Sequence, residues 1–447
     1  MAGKLFGTDG IRAIANTYPL TVEFCTKLAI VLSRQICTNH KAVLIARDTR
    51  ISGQMLFNVL SAGFLSQGIK VFDMGIIPTP LCTTLTPEFD VDMSIMITAS
   101  HNPYRDNGLK LINAQGDKFS DEQTTLIEKL MTEPLADNNN PQNIGVIVKV
   151  TAPETEYSTK IREIAPQNAL KGMKIVLDAA NGSFAKILAP AFQYLGAEII
   201  SLADRPNGKN INENCGSQHT ENLSQTVVEH HFDMGIAVDG DGDRIIICDE
   251  NGKRLDGDQI IAYLATYLKN HNLLKGNAVV STVYSNLGLG KYIRSLGIAH
   301  YASAVGERYV IEKMREVGSN LGGEESGHMV LSDYAKTGDA LYAAIIVSLG
   351  IKESNRKVSE IFPVFKPFPS ESRNLRFDNK EIIEKIMSAT EVKDTISQIA
   401  ERLNGHGVIL VRKSGTEPVI RLKIEDENEQ TARSEMALLE ECIKKIS

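Results

Sequence analysis

The chain has 447 residues, of which 43% are hydrophobic and 23% charged, and its formal net charge is −7. These proportions are ordinary for a globular protein, and the length suggests about three domains, with two to four plausible. The negative charge argues against a nucleic-acid-binding surface. It also means that an anionic ligand would need a local cluster of arginine and lysine side chains.

The sequence gives no sign of membrane insertion or export. The first ten residues lack the apolar run of a signal peptide, and the longest apolar run, residues 340–351, is too short to span a bilayer. The six cysteines are scattered and form no Cys-x-x-Cys pair. This usage indicates reduced thiols and a cytoplasmic location, and it argues against a zinc site.

The first part of the chain alternates predicted helices and strands. A glycine-rich turn at 7–12 precedes a helix at about 21–37, whose apolar residues recur at three- and four-residue steps. A strand at 42–46, a helix at about 54–67 and strands at 69–74 and 92–100 follow. This alternation predicts an α/β domain.

The same order of elements occurs three times along the chain. Strands at 174–178 and 277–283 each lead into a helix and return through a glycine, as the strand at 42–46 does. Each copy then reaches another strand that ends in a polar loop. Such sheets bind ligands beyond the carboxyl ends of their strands, so three similar α/β domains with mixed sheets would bring three loops to one cleft.

Polar or proline-rich stretches at 134–145, 251–258 and 362–369 suggest three domain boundaries. We predict domains at residues 1–145, 146–252, 253–365 and 366–447. The last is predicted to be a smaller α+β domain, with strands at 407–411 and 419–424 and a final helix at about 427–445.

Three carboxylates at alternate positions, Asp239, Asp241 and Asp243, follow a predicted apolar strand. Together they can bind one hard cation, and Mg²⁺ is favoured because three carboxylates leave positions open for phosphate oxygens. The alternative is a solvated acidic turn. An EF-hand is excluded, because Arg244 occupies the sixth position, where glycine is expected, and a strand precedes the loop.

Ser100 ends another predicted apolar strand and is followed by a His-Asn-Pro turn, with Lys110 ten residues further on in the same loop system. A hydroxyl on a stiff exposed loop is typical of binding and catalytic residues. The alternative is an ordinary turn with an inert serine.

Two further loops carry polar groups. The loop at 412–418 offers the parts of a phosphate cradle, although an ordinary hairpin loop is the alternative. The loop at 321–328 carries Glu324, Ser326 and His328, and its carboxylate and hydroxyl suit hydrogen bonds to sugar hydroxyls. The predicted phosphate-binding residues are Arg412, Ser414, Gly415, Thr416 and Arg421.

In this order, the motifs TASHNP, DGDGDR, GEESGH and RKSGTEP resemble the α-D-phosphohexomutase superfamily, and the resemblance covers essentially the whole chain. The motifs GTDGIR, NINENCGS and TGDAL make it most similar to the branch that acts on glucosamine phosphates. Two positions depart from the family pattern: Ala13 replaces the last glycine of GTDGIRG, and Glu307 replaces the aspartate of GDRYV.

The resemblance implies a fold of four domains around a central cleft and a role for each loop. Ser100 would carry a phosphoryl group as phosphoserine, and one Mg²⁺ would be held by Asp239, Asp241, Asp243 and an oxygen of that group. Lys110 would be the general acid/base, with Arg244 and His101 assisting the transfer or orienting groups.

The substrate-binding residues follow from the same resemblance. Arg12 would neutralise phosphate near Ser100. Glu324 and Ser326 would bind the sugar's O3 and O4, and the loop at 412–418 with Arg421 would hold the distal phosphate.

The implied activity is the interconversion of glucosamine 6-phosphate and glucosamine 1-phosphate, with a hexosamine or hexose 1,6-bisphosphate as intermediate and activator. The product would feed UDP-N-acetylglucosamine and cell-wall synthesis. The alternatives are an enzyme of the same superfamily for glucose or mannose phosphates, and a non-catalytic sugar-phosphate sensor. A homodimer through the first domain is an expectation from the resemblance alone.

Overall fold

The structure is a computed structural model that describes residues 5–7, 9–135, 141–413 and 418–446. The chain forms two compact units. Unit 1 comprises Met1–Thr282 and Tyr301–Pro363, and unit 2 comprises Val283–His300 and Val364–Ser447.

The first sheet of unit 1 has six strands. Its segment contains β1 (Ile11–Ile14), α1 (Val22–Gln35), β2 (Ala42–Arg47), α2 (Ile51–Leu65), β3 (Lys70–Ile76), α3 (Thr79–Leu85), β4 (Met93–Ile97), β5 (Asp106–Asn113), α4 (Asp121–Thr132) and β6 (Ile147–Lys149). The strand order is β1-β5-β4-β2-β3-β6, with β2, β3, β4 and β6 parallel and β5 antiparallel to its neighbours. Strands β2 and β4 read as continuous apolar runs because helices and loops bury both of their faces.

The second sheet has five strands in the next segment. It contains α5 (Thr155–Ile164), β7 (Lys174–Asp178), α6 (Leu188–Tyr194), β8 (Glu198–Leu202), α7 (Glu221–Glu229), β9 (Met234–Val238), β10 (Ile245–Asp249) and β11 (Arg254–Leu255). The order is β11-β10-β9-β7-β8, with β7 parallel to β8 and β9 and with β10 antiparallel to β9.

The third sheet has four strands. Its segment contains α8 (Gly257–Asn270), β12 (Ala278–Thr282), α9 (Leu287–Ser295), β13 (Ala299–Ser303), α10 (Glu307–Val317), β14 (Leu321–Gly323), β15 (Met329–Leu331), α11 (Ala340–Ser354) and α12 (Val358–Ile361). The order is β13-β12-β14-β15, with β14 parallel to β12 and antiparallel to β15.

The three sheets share a core of four strands in one order. This core is β3-β2-β4-β5 in the first sheet, β8-β7-β9-β10 in the second and β13-β12-β14-β15 in the third. In each copy the last strand runs antiparallel to the one before it. The threefold repetition predicted from the sequence is therefore confirmed, and each copy places a polar loop after its third strand.

Unit 2 contains a three-stranded antiparallel sheet in the order β16-β18-β17. Its elements are α9 with β16 (Ser370–Arg376), α13 (Lys380–Ser388), α14 (Thr390–Leu403), β17 (Gly407–Lys413), β18 (Val419–Asp426) and α15 (Glu429–Ile446). The prediction of two strands and one helix was incomplete, since it missed β16, α13 and α14. Residues 283–300, which the sequence places in the third predicted domain, cluster in unit 2, and the three domain boundaries stay predictions.

Within the described part of the chain, no helix has the length and apolar character needed to cross a membrane. The six cysteines are free thiols, and all but Cys442 are buried.

Candidate active site

Ser100 lies just beyond the end of β4 and is fully buried. Its φ of 54° places the backbone in the left-handed region, which non-glycine residues seldom adopt. In this conformation its Oγ donates a hydrogen bond to Asp239 Oδ2 at 2.6 Å, so the loops of the first and second sheets meet at the serine hydroxyl.

A buried arginine anchors the turn that carries Ser100. Arg50, at the amino end of α2, donates to the backbone carbonyls of Ser100 and Asn102 at 2.9 Å and of Asp106 at 3.0 Å. Its Nε pairs with Asp48 at 2.9 Å. This fork of donors suits a guanidinium, and it fixes the loop to the first sheet.

Asn212, in the second segment, also donates to the Ser100 carbonyl at 2.9 Å. The turn is therefore held from two directions, and the sequence predicted neither Arg50 nor Asn212 as a site residue.

The three predicted metal ligands lie together in the loop between β9 and β10. Asp239, Asp241 and Asp243 are fully buried, and one oxygen of each lies within 4.8 Å of the others. Asp239 Oδ1 accepts backbone N–H bonds from Gly242 and Asp243 at 3.1 Å and from Arg244 at 3.2 Å. The glycines between the aspartates let the backbone turn back so that all three carboxylates converge.

The electrostatics of this triad fit a divalent cation. Burial and the neighbouring carboxylates of Asp243 and Asp241 raise the pKa of Asp239 well above its usual value. Asp241 Oδ1 is buried and has no hydrogen-bond partner among the described residues. A hard cation would satisfy that oxygen and relieve the repulsion, so the residues present fit a divalent metal.

Lys110 lies on strand β5, which corrects the prediction that it belongs to a loop. It is buried among carboxylates, with Nζ 2.7 Å from Asp241, 2.8 Å from Asp243 and 3.1 Å from Asp9. Burial alone would lower the pKa of Lys110, but these three carboxylates outweigh it and raise the pKa well above its usual value. The side chain is therefore an ammonium ion at neutral pH.

The loop after β14, residues 324–328, contacts the triad of Asp239, Asp241 and Asp243, called the metal triad below, through a histidine. His328 Nε2 lies 3.0 Å from Asp243 Oδ1, and its Nδ1 lies 2.6 Å from Glu324 Oε2. Burial lowers the pKa of His328, but Asp243 and Glu324 outweigh it and raise the pKa to about 10. From the sequence, His328 was predicted only to be a polar neighbour of Glu324 and Ser326. In the structure Glu324 is buried and Ser326 is half-buried.

The remaining predicted groups of unit 1 surround Ser100 less closely. His101 Nδ1 lies 3.4 Å from Ser100 Oγ, and burial with the guanidinium of Arg244 lowers the pKa of His101 to about 3, so its ring is neutral. Arg244 Nε lies 4.0 Å from Asp243. Arg12 donates to Asp9 at 2.7 Å, and its buried Nε has no partner in the described part of the chain.

Two of the predicted phosphate-binding arginines lie in unit 2. Arg412 on β17 is directly opposite Arg421 on β18, and the Arg412 guanidinium lies 5.1 Å from the ring centre of Tyr284. Like charges opposite one another on paired strands repel, so an anion would stabilise this pair. The three predicted loop residues Ser414, Gly415 and Thr416 lie outside the described residues.

The structure adds side chains that the motifs did not connect to the site. The Thr79 hydroxyl donates to Asp241, and Asp9 contacts Lys110. Lys118 and Glu307 form an ion pair beside them. Asp9 belongs to the motif GTDGIR, which supported the family resemblance, and Glu307 is one of the two positions that depart from the family pattern. Nothing in their spacing relates them to Lys110.

Known protein families match the chain in four consecutive parts. The domains of the phosphoglucomutase/phosphomannomutase family match as alpha/beta/alpha domain I at residues 3–137, domain II at 155–252, domain III at 256–368 and the C-terminal domain at 373–441. The chain therefore belongs to the phosphoglucomutase/phosphomannomutase family, whose members are phosphohexomutases.

Curated relatives narrow this assignment to one branch. A phosphoglucosamine mutase from Rhodospirillum centenum is 42% identical, with 98% of this chain and 94% of the relative aligned. A phosphoglucosamine mutase from Paracoccus denitrificans is also 42% identical over 97% of both chains. Within the family, the chain thus groups with the phosphoglucosamine mutases, which are intramolecular phosphotransferases.

Solved structures share the fold at lower sequence identity. A phosphoglucomutase/phosphomannomutase family protein from Burkholderia thailandensis has a TM-score of 0.81 at 21% identity, covering 99% of this chain and 97% of its own. An Aspergillus fumigatus N-acetylphosphoglucosamine mutase, solved with GlcNAc-6P and magnesium, has a TM-score of 0.68 at 16% identity over 99% and 96% of the two chains.

Proposed function

We propose that the protein interconverts glucosamine 6-phosphate and glucosamine 1-phosphate through a phosphoserine at Ser100. The observation that carries this proposal is the 2.6 Å hydrogen bond from Ser100 to Asp239 inside a buried triad of carboxylates that also holds Lys110. The 42% sequence identity to two phosphoglucosamine mutases supports the choice of glucosamine phosphates as substrates.

We assign Asp239, Asp241 and Asp243, with an oxygen of the phosphorylated Ser100, to one Mg²⁺. When bound, the cation would neutralise charge that develops on the phosphoryl group during transfer. The orphaned Asp241 Oδ1 supports this assignment, as does the fungal enzyme solved with magnesium and a sugar phosphate.

The proposed cycle has two balanced halves. In the first, the bond between phosphorus and Ser100 Oγ breaks as a bond to O1 of the 6-phosphosugar forms, so O1 loses a proton and Oγ gains one. In the second, the bond between phosphorus and O6 of the sugar 1,6-bisphosphate breaks and the bond to Oγ forms again, so Oγ loses a proton and O6 gains one. We assign to Lys110 the transfer of these protons between Ser100 Oγ and the sugar oxygens. We assign to His101 and Arg244 the orientation of the groups beside Ser100.

The intermediate must turn over between the two halves, so each sugar-binding group serves two orientations. We assign Glu324 and Ser326 to the sugar hydroxyls O3 and O4, which exchange places when the sugar turns. Arg12 would neutralise phosphate near Ser100. The distal phosphate is assigned to Arg412, Ser414, Gly415, Thr416 and Arg421.

A hexose or hexosamine 1,6-bisphosphate would serve as the activator that primes Ser100. The predicted cytoplasmic location, the supply of UDP-N-acetylglucosamine and the homodimer stay predictions. The alternatives are a mutase for glucose or mannose phosphates and a sugar-phosphate sensor.

The test is turnover of glucosamine, glucose and mannose 6-phosphates with Mg²⁺ and a hexose 1,6-bisphosphate. We expect glucosamine 6-phosphate to turn over fastest, with a loss of at least about a thousandfold in Ser100→Ala, because the nucleophile is removed. Ser33→Ala is the matched control and is expected to keep its activity, because among the described residues the buried Ser33 hydroxyl bonds only to Ala29 within α1. Faster turnover of glucose or mannose 6-phosphate would overturn the substrate assignment. An inactive wild type would favour the sensor.

A further inference from the structure

We propose that Asp9, Lys118 and Glu307 form a chain of ion pairs that positions Lys110 for proton transfer. The inference rests on the role proposed above for Lys110, and it concerns three residues outside the triad of Asp239, Asp241 and Asp243.

Asp9 is the first member of this chain. Of the three carboxylates around Lys110, Asp241 and Asp243 belong to the metal triad, whereas Asp9 lies outside it. A cation in the triad would share the charge of Asp241 and Asp243 with Lys110. Asp9, at 3.1 Å from Nζ, is then the one carboxylate of the three whose attraction for Lys110 does not compete with a metal.

Lys118 holds Asp9 in that place. Asp9 Oδ2 contacts Lys110 and Arg12, while its Oδ1 accepts a hydrogen bond from Lys118 Nζ. Lys118 follows β5 and is largely buried, with 11% of its side chain exposed. Each carboxylate oxygen of Asp9 thus has its own cations, which fixes the orientation of the carboxylate plane toward Lys110.

Glu307 ends the chain on the third segment. Its Oε2 pairs with Lys118 at 2.5 Å, and its Oε1 accepts hydrogen bonds from the Thr337 hydroxyl and the Gly338 amide. The side chain of Glu307 is 2% exposed, so its charge is satisfied inside the protein.

The turn that binds Glu307 also contacts the loop between β9 and β10 that carries Asp239, Asp241 and Asp243, which we call the metal loop. The Ala340 amide donates to the Gly242 carbonyl at 3.1 Å, and a Cβ on Gly338 would lie 2.8 Å from the Asp243 carbonyl oxygen. The chain of ion pairs therefore joins strand β5, which carries Lys110, to the same turn that supports the metal loop. Its predicted effect is to keep the distance between Lys110 and the triad constant.

The experiment compares steady-state kinetics of Asp9→Asn, Lys118→Met and Glu307→Gln on glucosamine 6-phosphate. We expect kcat to fall about a hundredfold in Asp9→Asn and about tenfold in the other two. KM is expected to stay within about twofold of wild type in Lys118→Met and Glu307→Gln, because a misplaced proton donor slows the reaction without changing substrate contacts. In Asp9→Asn KM is expected to rise as well, because Asp9 also pairs with Arg12, which we assign to phosphate. Lys118→Arg and Glu307→Asp keep the charges and are expected to recover most of the activity.

A second readout separates positioning from general damage. The Mg²⁺-induced rise in melting temperature is expected to persist in Lys118→Met, since the metal ligands are intact. The double variant Lys118→Met/Glu307→Gln is expected to lose no more activity than Lys118→Met alone, because both residues act through one chain. The matched control is Asp73→Asn, which breaks the 2.8 Å ion pair with Arg47 away from the site and keeps its kcat.

Full kcat in folded Asp9→Asn or Lys118→Met, or strictly additive losses in the double variant, would overturn the inference while leaving the proposed function intact. Loss of turnover in Asp73→Asn equal to that in Lys118→Met would also overturn it. A wild type without mutase activity would reject the proposed function itself, which is a different result.

Discussion

At the level of single residues, Ser100 shows how the fold prepares a hydroxyl for chemistry. A non-glycine residue at a φ of 54° is strained by about 1–3 kcal/mol, and it persists only where the surroundings fix it. Here Arg50 and Asn212 hold its carbonyl and Asp239 holds its hydroxyl. The serine is therefore oriented before any substrate arrives.

Asp178, at the end of β7, gives a prediction about pH. Burial raises the pKa of this carboxyl to about 6, against the effect of hydrogen bonds from the Gly216 and Ala180 amides. The unfolded chain ionises near its ordinary value, so stability from this group is full below about pH 4 and is lost as pH rises through about 6. Asp178→Asn cannot ionise and removes this loss.

We expect the melting temperature of Asp178→Asn, relative to wild type, to increase from pH 4 to pH 7, by the equivalent of roughly 3 kcal/mol at most. Calorimetry across this range measures the difference. A difference that stays constant or decreases with pH would contradict the assignment.

The sequence was sufficient for the residues that lie in continuous motifs, and insufficient for those that the fold brings together. Ser100 and the three aspartates each follow an apolar strand, and that pattern is visible in one dimension. Asp9, Lys118 and Glu307 meet Lys110 only because strand pairing and the third segment converge, and no local spacing records this. Lys110 itself was misplaced because the Asn-Pro turn before it obscures the start of β5.

At the level of elements, the metal loop depends on close backbone packing with the loop after β7. A Cβ on Gly182 would lie 2.4 Å from the carbonyl oxygen of Gly240, which stands between two of the metal-triad aspartates. The approach is closer than real atoms allow, so a side chain at Gly182 must displace the metal loop.

We predict that Gly182→Ala raises the Mg²⁺ concentration needed for half-maximal thermal stabilisation by at least about tenfold, as expected when the support of metal ligands is lost. Gly53→Ala is the matched control, because its Cβ would meet atoms at an ordinary 3.5 Å and it lies in α2. We expect that variant to change stability by no more than about 1 kcal/mol. An unchanged Mg²⁺ requirement in Gly182→Ala would contradict the argument.

Strand β16 was missed because this part of the chain lacks an apolar signal, whereas α13 and α14 were missed although they carry one. Strand β16 reads SESRNLR and alternates few apolar residues, yet it pairs with β18 along seven residues. Its backbone hydrogen bonds, not its side chains, make it a strand. By contrast β7, KIVLD, which is buried at all but its first residue, occurs at the residues predicted.

At the level of the whole molecule, the division into units differs from a simple reading of the chain. Residues 283–300 belong to unit 2, where Glu425 secures them. This carboxylate is 1% exposed and accepts hydrogen bonds from the Leu287 amide at 2.9 Å and Asn286 Nδ2 at 3.2 Å. Residues 283–300 therefore leave the third segment in sequence and pack as part of unit 2.

We predict that Glu425→Gln destabilises unit 2 by roughly 2–3 kcal/mol, since hydrogen bonds to a buried charge are lost. Hydrogen exchange followed by mass spectrometry is expected to show faster exchange at residues 283–300 and 419–426, with unit 1 unchanged. Glu427→Gln removes an exposed ion pair with Lys291 nearby and serves as the control, with no measurable change. Faster exchange throughout unit 1, or none in 283–300, would contradict the prediction.

In the proposed reaction, Ser100 carries the phosphoryl group that is transferred. The direct measurement is to incubate the protein with Mg²⁺ and a labelled hexose 1,6-bisphosphate, and to locate the label by peptide mass spectrometry before and after adding glucosamine 6-phosphate. We expect label on Ser100 that is then transferred to the sugar. Label on another residue, or label on Ser100 that the sugar cannot remove, would contradict it.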